Sequence, residues 1–79
     1  MYEISSIGEK IKSTRISMNI TRRELGENAY VSSYSIANYE VGRRVPDIET
    51  LCLIADYFGM SLDDLVGRTP PEEPKMKKR

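Results

Sequence analysis

Arg15 and Glu40 stand where apolar side chains would be expected. Arg15 follows Ile11 by four residues and precedes Met18 by three; Glu40 follows Ile36 by four. A lone charge on an inward helix face is costly to bury, so two opposite charges on two inward faces predict an ion pair. The other ionisable groups suggest little chemistry. Asp63-Asp64 and Glu72-Glu73 are adjacent carboxylates. The first pair suits the start of a short helix, where negative charge is favoured; the second lies in a proline-rich tail. The chain has no histidine and one cysteine, Cys52, set in the run Leu51-Cys52-Leu53-Ile54-Ala55. Cys52 is expected to be a small buried hydrophobe. With no metal-ligand spacing and no glycine-rich phosphate loop, no enzyme activity, metal or cofactor is expected.

Charge is unevenly spread although the 79 residues sum to zero. Residues 1–45 carry seven Lys or Arg against five Asp or Glu, residues 46–67 none against five, and residues 68–79 five against two. The N-terminal part is thus the folded part able to meet phosphate groups, and the basic tail could touch them or serve solubility. No apolar stretch approaches the roughly 20 residues of a membrane span, and no signal-peptide pattern opens the chain. The lack of cysteine pairs suits a reducing, cytoplasmic compartment.

The elements that position these residues are short helices. Ile4, Ile7, Ile11, Arg15 and Met18 trace one face of a first helix, which Asn19 can end in a left-handed conformation. Thr21-Arg-Arg-Glu24 is a capping box that opens a second helix, with Leu25 and Ala29 inward. Ser32 caps a third helix, about Ser33 to Val41, whose inward residues are Ile36, Tyr39 and Glu40. Asp47 caps a fourth, closed by Gly59, and Ser61-Leu-Asp-Asp64 opens a short fifth. No window alternates as a strand would, so the class is all-α, a compact bundle of five helices. The folded domain is expected over residues 1–67. Residues 68–79, with three prolines and little to bury, form an expected disordered tail.

The second and third helices are each about eight residues long and closely joined, which forces a steep crossing, as in a helix-turn-helix. Gly26 costs the second helix about 1 kcal/mol relative to alanine, which implies close approach of the third. The stretch Thr21 to Pro46, with Thr-x-x-Glu-Leu followed by Val-Ser-x-x-Ser-Ile-x-x-Tyr-Glu-x-Gly-x-Arg-x-Pro, resembles the phage-repressor (Cro/C1-type, XRE) helix-turn-helix family. The likeness runs from Ile7 to Leu65. Tyr30 stands where that family usually has a turn glycine, and Arg22 where it often has glutamine.

The resemblance implies a lambda-repressor-like fold and a sequence-specific regulator of transcription, a repressor, acting on double-stranded DNA at a dyad-symmetric operator. It implies that the third helix enters the major groove, with Ser33, Tyr34, Ala37 and Asn38 toward the bases. Asn38 is suited to pair with adenine and Ala37 to touch a thymine methyl. Arg22, Ser32, Arg43 and Arg44 are the expected phosphate contacts. It also implies the Arg15–Glu40 pair.

The fourth helix is apolar on two sides. Ile48, Leu51, Cys52, Ala55 and Phe58 are assigned to the core. Leu53, Ile54 and Tyr57, with Leu62, Leu65 and Val66 of the fifth helix, are assigned to a homodimer interface. Two copies would hold recognition helices about 34 Å apart. The alternative is an antitoxin or co-regulator that uses the same fold mainly to bind protein. Neither a small-molecule ligand nor a membrane is implied.

Overall fold

The computed structural model describes residues 4–66, with side chains from residue 7 onward. Ile4's side chain and the tail beyond residue 67 lie outside the described residues. Five helices follow in order: α1 (Ile4–Ser17), α2 (Arg22–Ala29), α3 (Ser33–Glu40), α4 (Ile48–Phe58) and α5 (Leu62–Val66). The described residues contain no strand.

Side chains start four of these helices. Thr21, Ser32 and Ser61 accept backbone N–H bonds from Glu24, Ser35 and Asp64, each at 3.0 Å, and Asp47 accepts from Thr50 at 2.9 Å. Each bond satisfies one donor that a helix N-terminus leaves open. Hydrogen bonding from Thr50 holds the Asp47 carboxyl below its ordinary pKa, because it favours the charged form.

Left-handed residues end the segments. Asn19 has φ 62°, Tyr30 φ 60° and Gly59 φ 73°. At Asn19 the chain reverses one residue after Met18, so Met18 is exposed and not part of the inward face. Ile20 fills that place, buried, with its carbonyl held by Arg15 Nη1 at 2.9 Å.

The core gathers Ile7 and Ile11 of α1, Ile20, Leu25 and Ala29 of α2, Ile36 and Tyr39 of α3, Leu51, Ile54, Ala55 and Phe58 of α4, and Leu65 of α5. α3 packs on α1 and α2; α4 packs on α2 and α5; α5 packs on α1. α1 and α2 therefore stand between α3 and the α4–α5 pair.

The rotation of α4 differs from the expected one. Its inward face is Leu51, Ile54, Ala55 and Phe58, an i, i+3, i+4, i+7 set, while Cys52 and Ile48 are exposed, Ile48 at 64%. Cys52 is thus not a core residue. Ile54 and Leu65, expected at a dimer interface, are 0% exposed inside the monomer. The reason is that α2 and α5 together cover the side of α4 that carries Ile54. Leu53, Tyr57, Leu62 and Val66 are half-buried against the same core.

Candidate nucleic-acid interface

The placement of α3 depends on two glycines. A Cβ on Gly26 would lie 2.6 Å from the Val31 carbonyl oxygen, and one on Gly8 would lie 2.2 Å from that of Tyr39. Both distances are below any tolerable contact, and both neighbours are backbone. Glycine on α2 lets the start of α3 approach; glycine on α1 lets its end approach. Gly26 was signalled by its place inside a helix, and the same argument applied to Gly8 would have found the second approach.

The turn between α2 and α3 hinges on Tyr30, at φ 60° and ψ 37° with its N–H bonded to the Gly26 carbonyl. The turn therefore keeps the left-handed geometry that glycine would adopt easily. The tyrosine side chain stands in solvent.

The end of α3 is fastened by charge. The Glu40 side chain is 0% exposed, and Arg15 Nε lies 2.6 Å from its Oε2. Arg15 Nη2 donates to Oε1 at 3.3 Å. Arg22 adds a bond that residue spacing did not signal: its Nε donates to Glu40 Oε1 at 3.0 Å. Arg22 remains 44% exposed. Glu40 therefore ties α3 to α1 and α2 together, and Arg22 is anchored at Nε while its outer edge meets solvent.

Outward residues of α3 occupy one strip. Ser33 is exposed, Tyr34 is 70% exposed and Ala37 is half-buried. Asn38 is not with them. It is 5% exposed, and its carbonyl accepts the N–H groups of Arg43 at 2.9 Å and Arg44 at 3.3 Å. The chain folds back over Asn38 after Gly42, which removes it from the surface and corrects its assignment as a base contact. Val41, seven residues after Tyr34 on the same strip, is exposed instead; that interval was the signal for it.

Arg43 and Arg44 are exposed just beyond α3. Arg44 leans back along the helix, with Nη1 3.5 Å from Ser35 Oγ and its guanidinium carbon 5.9 Å from the centre of the Tyr39 ring. Ser32 is exposed at the N-terminus of α3, its oxygen engaged by Ser35 N. Away from this face, the Tyr57 hydroxyl donates to Glu24, joining α4 to α2. The carboxylate beside it raises the pKa of the phenol by favouring the neutral donor.

The helix-turn-helix family model matches residues 11–65. The chain belongs to this family. It is the phage-repressor type that the motifs resemble, and the all-α five-helix fold agrees with it. Among relatives, the HTH-type transcriptional activator BcrR of Enterococcus faecalis is 34% identical over 59 residues, 75% of this chain and 29% of its own length. The cryptic phage CTXphi transcriptional repressor RstR of Vibrio cholerae is 33% identical over 67 residues, 85% of this chain and 60% of its own length. The chain thus spans less than two thirds of each of these relatives, which are regulators of transcription. Among solved structures, the P22 c2 repressor in complex with synthetic operator 9T superposes with a TM-score of 0.75 at 27% identity, covering 80% of this chain and 96% of that one. No helix of the described residues is long and apolar enough to cross a membrane.

Proposed function

We propose that the chain is a sequence-specific double-stranded DNA-binding regulator of transcription, a repressor, that places α3 in the major groove. The observation that carries this reading is the exposed strip of α3, held from behind by Glu40 and flanked by Arg43 and Arg44. Ser33, Tyr34 and Ala37 face the bases. Arg43, Arg44, Ser32 and the outer edge of Arg22 meet phosphates, which fix register without reading sequence. The chain acts in the cytoplasm by occupying its site, and no catalytic step, metal or cofactor is required.

Two copies pair on a dyad-symmetric operator, presenting α3 to successive grooves about 34 Å apart. With Ile54 and Leu65 taken into the core, the half-buried Leu53, Tyr57, Leu62 and Val66 are what remains of the expected pairing surface. The burial of Ile54 also takes one of the three residues from the second apolar face of α4 that suggested a protein-binding role.

The test is duplex binding followed by fluorescence anisotropy across a salt series. Phosphate contact predicts binding that weakens steeply as salt rises. Selection from a random duplex library should then return one motif, repeated with dyad symmetry. Absence of duplex binding at low salt would refute the proposal.

A further inference from the structure

The strip that α3 shows to solvent lacks any side chain able to make a two-pronged hydrogen bond. From Ser33 to Val41, Ile36, Asn38, Tyr39 and Glu40 are buried. Ser35 is half-buried, with its hydroxyl 3.2 Å from that of Ser32 and 3.5 Å from Arg44 Nη1. What remains is Ser33 and the row Tyr34, Ala37, Val41, spaced i, i+3, i+7. Base pairs are told apart most sharply by amide, guanidinium and carboxylate groups that bond two atoms of one base edge. The only amide in this segment, Asn38, is inside, the only carboxylate, Glu40, is committed to Arg15 and Arg22, and the guanidinium laid along the helix, that of Arg44, rests against Ser35 and the Tyr39 ring.

Hydroxyl groups donate and accept alike, so Ser33 and the Tyr34 phenol accept several bases. The remaining chemistry is apolar: the Ala37 methyl, the Val41 methyls and the Tyr34 ring. In the major groove one feature answers to it, the C5 methyl of thymine.

The geometry points to a recognition helix that selects its site through thymine methyl groups, not through hydrogen-bond patterns; this inference rests on the DNA-binding reading above. The occupant is nucleic acid on grounds of charge. Between Asn28 and Pro46 the sole acidic residue is the buried Glu40, while Arg43 and Arg44 are exposed at the end of the strip. An apolar row bordered by exposed arginines and free of exposed carboxylates suits the floor of a groove between phosphates.

The experiment uses the whole chain and a duplex taken from random-library selection. Thymine is replaced by uracil one position at a time, which removes the C5 methyl and leaves every hydrogen-bonding atom. At contacted positions binding should weaken about fourfold, the effect expected for one buried methylene-sized group. The thymine-to-uracil ratio should hold steady between about 50 and about 200 mM salt while absolute affinity falls, because methyl contact releases no counterions. In the variant Ala37→Ser, checked for unchanged helix content, the ratio should approach one at a single position.

Equal binding of thymine and uracil duplexes at every position overturns the inference while leaving DNA binding intact. Selected duplexes that bind no better than random ones overturn sequence-specific reading altogether, and the inference with it.

Discussion

Helices α3 and α4 both begin at a side-chain cap, yet only one of them shows its orientation in its sequence. In α3 the apolar residues are few, and Ile36, Tyr39 and Glu40 fix which side faces inward. In α4 eight of the eleven residues, from Ile48 to Phe58, are apolar or nearly so, among them Cys52, Ala55 and Tyr57. A helix apolar all round has no preferred rotation of its own; its neighbours choose one. Here α2 and α5 select Ile54 and leave Cys52 outside. A charged or polar residue can therefore be more informative about orientation than another leucine.

The largest expected effect tests the fixed helix. Glu40→Gln strands the largely buried Arg15 beside a side chain with no exposure, and unfolding in urea should show a loss of about 3–5 kcal/mol. Next come two neighbours on α4. Ile54→Ala should cost about 2–5 kcal/mol, whereas Cys52→Ser should stay within about 0.5 kcal/mol. Similar losses for both would mean that α4 is rotated toward the expected face after all. A smaller effect separates the turns that follow α2 and α4. Tyr30 adopts at φ 60° what Gly59 adopts at φ 73°. Relief of a left-handed side chain should make Tyr30→Gly more stable by about 1 kcal/mol, read as a higher melting temperature.

The smallest effect is a pH dependence carried by the cap of α4 and not by the cap of α3. Asp47 is held below its ordinary value of 3.8 by its bond to Thr50. Its contribution is present above the unfolded pKa and is lost as pH falls through the lower, folded one. Ser32, the cap of α3, does not titrate. Between pH 5 and pH 2 the melting temperature of Asp47→Ser should thus fall less than that of the parent chain. An identical fall in both would remove Asp47 from the acid response.

The caps, the five helices and the inward face of α3 were legible because each rests on a local rule: a hydroxyl or carboxylate three residues before an open N–H, or a 3.6-residue interval. Arg15 and Glu40 were legible because burying a charge alone is so unfavourable. Asn38, Ile54, Leu65 and Cys52 were misplaced for a different reason. Their exposure is set by what covers them: the returning chain after Gly42 for Asn38, α2 and α5 for Ile54. Arg22 was assigned to phosphate on its position alone; its bond to Glu40 depends on a distance between helices that spacing along the chain does not encode. Met18 continued a periodicity that the helix itself did not.

The separation of charge along the fold has a dynamic consequence. All five acidic residues of the segment 46–66 are exposed on or beside α4 and α5, which carry no Lys or Arg, whereas Arg43 and Arg44 are exposed at the end of α3. A body of zero net charge gains little speed from a polyanion's pull, but one with separated poles is turned by it. On the proposed DNA-binding reading, a duplex would turn the molecule before contact, with its acidic part outward. Fewer encounters would then be wasted on the wrong side.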